Sequence, residues 1–241
     1  MITIADYGMG NLRSVEKAFR YLGFPASVSE SPMAVRSASA VVLPGVGAFA
    51  GAMNNLRRRN LDAAILDAIR EGKPFLGICL GLQLLFHESE EFGPSKGLGV
   101  LPGRVVRFAG EQFAHGGLKV PHMGWNSIRL RRPSPFFEGV ADGAMMYFVH
   151  GYFPQPAEEE IVVASCTHGI EFACAVQKGN IFACQFHPEK SAGAGLKVLE
   201  NFGRAVYGES AGQASLAAEA RRLGTGDPTR RRPVLRRNGW K

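Results

Sequence analysis

Residues 73–86, KPFLGICLGLQLLF, constrain this chain more than any other stretch. Residues 74–78 form a short apolar run of the length of a buried strand. Directly after it, Leu82, Leu84, Leu85 and Phe86 cluster as the core face of a helix would. Cys79 stands at the corner, with Gly77 and Gly81 two residues to either side. A strand that turns straight into a helix holds its corner residue in a strained backbone, where neighbouring side chains collide. Glycines at −2 and +2 relieve that crowding. This is the geometry of a nucleophile elbow, with cysteine in place of serine. A thiol there points out of the sheet at the positive end of the helix dipole, which favours the thiolate. The competing reading is a buried small hydrophobe, the usual fate of a free cysteine.

An elbow needs a sheet around it, and the first half of the chain supplies one. Residues 1–5 are a β-rich run, followed by the glycine loop 6–11. Residues 14–22 then place Val15, Ala18, Phe19 and Leu22 at helical spacing, with Gly23 as the stop. Strands are expected at 25–29 and 40–43, and helices at 50–59 and 62–71. This alternation implies an α/β fold, a mostly parallel central sheet flanked by helices. In such sheets ligands bind beyond the carboxyl ends of the strands, where Cys79 would sit. The loop 43–49, LPGVGAF, follows one of those strands. Its Gly45-Val46-Gly47 segment leaves backbone N–H groups free to face an anion, although a plain tight turn would read the same.

The second half changes character. Alternation over 97–108, 128–130, 144–149, 161–166 and 171–176 predicts an additional antiparallel strand region. Residues 119–126, KVPHMGWN, read as a ligand-like loop. A turn at 178–180 leads into the strand 181–186, and then come His187, Pro188, Glu189 and Lys190. Ser191 is placed to cap a helix carrying Leu196, Val198, Leu199 and Phe202.

Composition bounds the rest. A chain of 241 residues, 46% hydrophobic, suits one domain, here 1–207. Residues 208–241 are expected to be a basic, disordered tail: of the net charge of +7, +5 lies in residues 209–241. The basicity therefore belongs to the tail, and a nucleic-acid groove on the domain is not expected. No apolar run is long enough to cross a bilayer, and no signal-peptide pattern opens the chain. Cys79, Cys166, Cys174 and Cys184 form no C-x-x-C pair, which reads as reduced thiols in a cytoplasmic protein.

A thiolate nucleophile needs a base, and the base needs a third group to fix its tautomer. His187 follows a strand, Pro188 stiffens the turn, and Glu189 two residues on falls on the same side of an extended segment. The remaining histidines are read as structural or solvated, although His122 and His150 are expected in loops near the proposed site.

Gly77-Ile-Cys-Leu-Gly-Leu-Gln83 and Gln185-Phe-His-Pro-Glu-Lys-Ser191 resemble the two signatures of the class I (triad) glutamine amidotransferases. The stretches 6–11, 43–49, 121–126 and 147–150 are similar to those of one branch of that family, the glutaminase subunits of imidazole glycerol phosphate synthases. The resemblance spans about residues 1–207, with the motifs in family order. It departs at Gly151, where the family commonly carries Ser or Thr, so a hydroxyl contact to substrate is lost there or taken over by backbone.

The resemblance implies a class I amidotransferase fold, a triad of Cys79, His187 and Glu189, and L-glutamine as substrate. It implies an oxyanion hole from Leu80 and the loop Gly45, Val46 and Gly47. Gln83, Glu91, Gly151 and Tyr152 would hold glutamine, Tyr152 through its backbone. The implied partner is a (β/α)8-barrel cyclase in a heterodimer, with Asn11, Met123, Trp125, Asn126 and Lys190 at or near the interface. No metal, cofactor, nucleic acid or membrane is implied. Three other readings compete: an amidotransferase serving another acceptor, a cysteine hydrolase of γ-glutamyl substrates, and a non-enzymatic protein that binds through its basic tail.

Overall fold

The structure, a computed structural model, describes residues 1–114 and 117–208. The expected basic tail falls outside the described residues, apart from Gly208. In chain order the elements are β1 (Ile2–Ala5), α1 (Leu12–Tyr21), β2 (Ala26–Ser29), α2 (Pro32–Arg36), β3 (Ala40–Gly45), α3 (Phe49–Arg58), α4 (Leu61–Arg70), β4 (Phe75–Cys79), α5 (Leu80–Gln83), β5 (Phe86–Ser89), β6 (Ser95–Lys96) and β7 (Leu101–Arg107). Then follow β8 (His122–Leu130), β9 (Met145–His150), β10 (Tyr152–Pro156), β11 (Val162–His168), β12 (Ile170–Lys178), β13 (Ile181–Cys184) and α6 (Ala192–Tyr207).

Nine strands make the main sheet in the order β2-β1-β3-β4-β13-β12-β11-β8-β9. Pairing is parallel from β2 through β13 and antiparallel from β13 outward to β9. The expected parallel half and antiparallel half are therefore one continuous sheet, joined at β13. Alternation sends successive side chains of the central strands to opposite faces. Val42, Leu76 and Ile78 pack with Phe19, Phe182 and Phe202 on one face. Val41, Leu43 and Phe75 pack with Leu56, Leu61 and Ile65 on the other. Helices α1 and α6 cover the first face and α3 and α4 the second, as buried parallel strands require.

Two expectations are corrected. The helix expected after Cys79 is one turn, α5, and the chain then becomes strand β5 in a second sheet ordered β10-β7-β5-β6. Residues Leu82, Leu84, Leu85 and Phe86 are all buried. They lack a polar face, and periodicity alone cannot tell such a run from a strand. The loop expected over 119–126 is mostly β8, whose His122 pairs with His150 and Trp125 with Tyr147. Gly124, at φ 121°, makes that stretch look like a turn while the pairing continues through it.

Candidate active site

Cys79 ends β4 with its backbone at φ 55° and ψ −108°, a conformation that a non-glycine residue keeps only when its surroundings impose it. Strands on both sides impose it here, pairing Gly45 with Cys79 and Cys184 with Ile78. A Cβ on Gly81 would lie 1.7 Å from the Leu43 carbonyl oxygen, and one on Gly77 would lie 2.9 Å from the Gly81 oxygen. Neither corner position has room for a side chain. The elbow is as expected, but the helix dipole behind it is that of a single turn.

Cys79 opens into a cleft of about 220 Å³ lined by Val46, Gly47, Leu80, Gln83, Glu91, Val149, His150, Gly151 and Tyr152. That is below the roughly 300–1,000 Å³ of drug-sized sites and suits a small metabolite. A larger cleft of about 470 Å³ among Arg131, Gln155, Glu159 and Glu171 contains none of the candidate residues.

His187 follows β13 and meets Glu189, with Nδ1 2.9 Å from Oε1 and side chains 2% and 0% exposed. The two meet across a tight 3-10 turn, Pro188–Lys190, rather than along the extended segment expected. The turn is pinned to β9: His187 N–H donates to the Tyr147 carbonyl at 2.9 Å. Ser191 Oγ accepts from Tyr147 N–H at 2.9 Å and donates to the His187 carbonyl at 2.6 Å. Ser191 thus ties the turn carrying His187 and Glu189 to the sheet, and its hydroxyl does not cap α6 as expected. Burial alone would lower the His187 pKa, but Cys79 and Glu189 outweigh it and push it up to about 10. Contact with the Cys79 side chain comes first, then that with Glu189, and the charges of both add to it, although His187 Nε2 is buried without an aligned hydrogen bond inside the protein. Held this way, the His187 ring favours the imidazolium at neutral pH.

The loop after β3 packs directly on the elbow. A Cβ on Gly45 would fall 2.4 Å from Tyr7 Oη and 2.8 Å from Leu80 Cβ. Gly47 stands at φ 89°, open to glycine and strained for other residues. Leu80 is the first residue of α5, so its N–H lacks a partner within the helix.

Behind Cys79 runs a chain of buried amides. Gln83 Nε2 donates to the Tyr152 carbonyl at 2.9 Å and to Gln185 Oε1 at 3.0 Å. His150 Nδ1 donates to the same Tyr152 carbonyl at 2.8 Å. Both lone pairs of that carbonyl are therefore used, and it has none left for a ligand. Further back, His122 Nδ1 lies 3.1 Å from His150 Nε2, and Asn126 Nδ2 lies 3.1 Å from His122 Nε2. The carbonyl can only accept, so it fixes both tautomers as neutral rings with Nδ1 protonated. Burial pushes His122 down to about 4 and His150 to about 3.

Glu91 lines the cleft and its Oε2 accepts from Phe49 N–H at 2.6 Å, at the start of α3. At Gly151 a Cβ would meet only Val120 Cγ1 at 3.5 Å and Pro121 Cβ at 4.0 Å, ordinary contacts, so its lack of a side chain is not forced by packing. Met123 and Trp125 are exposed on the outer face of β8. Trp125 lies edge-on to Tyr147, and Lys190 Nζ sits 5.9 Å over the Tyr147 ring. Asn126 is set apart from them: alternation turns its amide inward to His122 and to the Thr167 carbonyl. Asn11 likewise turns in, its Nδ2 donating to Glu189 Oε1 at 3.2 Å.

Sequence reasoning passed over Gln185, Ser191's tie to the turn, and the His122–His150 pair. For Gln185 a signal existed: it lies two residues before His187 at the end of a strand, on the same side. Among the described residues no cluster of metal-ligating side chains occurs, and no helix is long and apolar enough to cross a membrane.

The glutamine amidotransferase class-I family matches residues 3–206. The imidazole glycerol phosphate synthase subunit HisH of Geobacter sulfurreducens is 54% identical over 204 residues, 84% of this chain and 97% of that protein. The subunit of the same name from Moorella thermoacetica is 53% identical over 205 residues, 85% of this chain and 95% of that protein. A crystal structure of a glutamine amidotransferase has a TM-score of 0.65 at 20% identity, covering 86% of this chain and 99% of its own. The structure of PurLQS from Thermotoga maritima gives 0.66 at 19% identity, covering 83% and 96%. These two likenesses are of fold.

Proposed function

The chain belongs to the class I glutamine amidotransferases, and on that premise we propose that it is the glutaminase subunit of an imidazole glycerol phosphate synthase. It hydrolyses L-glutamine and passes ammonia to a (β/α)8-barrel cyclase, which makes imidazole glycerol phosphate and the aminoimidazole carboxamide ribonucleotide in histidine biosynthesis. The observation that carries this reading is Cys79 at a strained elbow facing one small cleft, backed by buried His187, raised to about 10, with Glu189 on its Nδ1.

The Cys79 thiolate attacks the side-chain amide carbon of glutamine, forming a C–S bond. Charge that develops on the oxygen is taken by the Leu80 N–H and by a second N–H from the Gly45-Val46-Gly47 loop. One such donor is worth roughly 10²–10³ in rate. His187 gives its Nε2 proton to the departing nitrogen as the C–N bond breaks, leaving ammonia and a γ-glutamyl thioester. A water then enters, His187 takes its proton, a C–O bond replaces the C–S bond, and glutamate leaves. Glu189 holds the His187 Nδ1 proton throughout and steadies the cation.

The substrate sits in the 220 Å³ cleft. Gln83 offers it Oε1, the one amide atom that its own network leaves free. Glu91 and the backbone at Gly151 and Tyr152 complete the wall. Ammonia is useful only when unprotonated and contained, so the partner docks over the mouth. The exposed Met123 and Trp125, with Lys190 over Tyr147, form an aromatic and cationic patch beside it, the composition of a binding hot spot. Partner and nucleotide binding reorient the Gly45-Val46-Gly47 peptide and complete the oxyanion hole.

The test is glutamate release by the purified chain, with and without the barrel cyclase and its nucleotide ligand, beside a Cys79→Ala control. Low activity alone and large stimulation by the pair are expected. Equal rates with and without the partner would favour instead a free-standing γ-glutamyl hydrolase.

A further inference from the structure

Gln185 belongs to the motif that carries His187, yet the triad does not use it. It is fully buried, and its Nε2 lies 3.6 Å from Cys79 Sγ. At this site the orientation of the amide follows from its neighbours. The Tyr152 carbonyl can only accept, so the group of Gln83 that faces it at 2.9 Å is the NH₂. The second hydrogen of that NH₂ points at Gln185 at 3.0 Å, so Gln185 turns its oxygen there. What remains to face the sulfur is the NH₂ of Gln185.

We propose that Gln185 is a catalytic residue whose side-chain N–H donates to the Cys79 sulfur, holding the thiolate's charge and direction, and that Gln83 acts as a positioning residue by setting the Gln185 amide. The inference rests on Cys79 being the nucleophile. Other groups do not supply this contact. His187 is the cation beside the sulfur, with Glu189 behind it, but its Nε2 has no aligned hydrogen bond in the free protein. Tyr7 and Cys184 also face Cys79, but Tyr7 Oη has no hydrogen-bond partner in the structure and the Cys184 thiol donates to the Phe186 carbonyl at 3.5 Å. His150 is neutral, its Nδ1 proton spent on Tyr152. The Val149 carbonyl, 3.9 Å from the sulfur, can accept from a thiol but offers nothing to a thiolate. Among the described residues, Gln185 is the side chain that donates a hydrogen bond to this sulfur. Buried and away from water, a donor to a charged acceptor is stronger than at a surface.

The experiment is the pH dependence of Cys79 alkylation by iodoacetamide on the full chain, read as modified Cys79 peptide by mass spectrometry. It needs neither glutamine nor a partner. Gln185→Glu keeps the volume and the acceptor for Gln83 but removes the donor. Gln83→Glu leaves Gln185 in place, and its carboxylate draws the Gln185 NH₂ away from the sulfur, turning the oxygen toward Cys79. Both variants are expected to alkylate about tenfold more slowly at neutral pH, with the acid limb moved up by about one pH unit. Circular dichroism and melting identify folded protein, and either folded variant suffices. A folded variant with the wild-type profile overturns the proposal. If wild-type Cys79 reacts no faster than a thiol in the urea-unfolded chain, the nucleophile reading falls as well, which separates the two failures.

Discussion

One substitution at two glycines tests the elbow by opposite signs. A Cβ at Gly81 would stand 1.7 Å from the Leu43 carbonyl oxygen, where real contacts stay beyond 3.0 Å, so backbone must give by roughly 1.3 Å. Leu43 is central in β3 and paired across to Gly77 of β4. Either β3 peels from β4 next to Cys79, or the start of α5 swings out and carries the Leu80 N–H with it. Overpacking of this kind costs about 1–3 kcal/mol, or a fall of about 2–12 °C in Tm for a domain of this size. Misplacement by about 1 Å costs on the order of 10²-fold in rate. Gly51 lies in α3, exposed, with no atom within 4 Å of where a Cβ would go. Gly51→Ala there is expected to gain about 0.5–1 kcal/mol from the lower entropy of the unfolded chain. Thermal unfolding by circular dichroism and kcat for glutamine with the partner present are the assays. Gly81→Ala with wild-type Tm and kcat would refute the elbow argument.

Glu189→Gln, which leaves the turn in place but removes the charge behind His187, is expected to lower kcat by roughly 10–10³-fold and to bring the His187 pKa down from about 10, seen by NMR titration of the ring. Stability should fall on both sides of neutrality, followed as urea midpoint against pH. His187 is raised above its ordinary 6.5, so its contribution is full below pH 6.5 and lost as pH rises toward 10, less steeply in Cys79→Ala. His122 and His150 are lowered, so theirs is full above pH 6.5 and lost as pH falls toward about 4 and 3. Trp125→Ala, a change on an exposed face, should leave Tm unchanged and weaken binding of the barrel cyclase by about 30-fold or more in calorimetry.

Much of the catalytic half could be read from residues because it depends on local sterics. The two glycines around Cys79 and Gly23 at the end of α1 are demanded within a few residues of chain. Parallel strands with apolar residues on both faces also announce themselves. What could not be read were contacts set by distant pairing. Asn11 reaches Glu189 across 178 positions, and nothing near Asn11 points inward. His122 and His150 became a matched pair only when β8 was extended through Gly124 to lie along β9. The switch from α5 to β5 was hidden because Leu84, Leu85 and Phe86 are buried on every side, and Gly97 lets the backbone approach Phe86 closely from outside. The roles of Gly45, Val46 and Gly47 and of the exposed patch rest on the family resemblance together with their placement around the cleft.

The central claim is that Cys79 forms a covalent γ-glutamyl intermediate that His187 resolves. The most direct measurement is intact-protein and peptide mass spectrometry of the partner-bound chain, quenched in acid during turnover of glutamine. A γ-glutamyl adduct on the Cys79 peptide is expected, and none in Cys79→Ala. Turnover that persists in Cys79→Ala, or an adduct found on another residue, would contradict it.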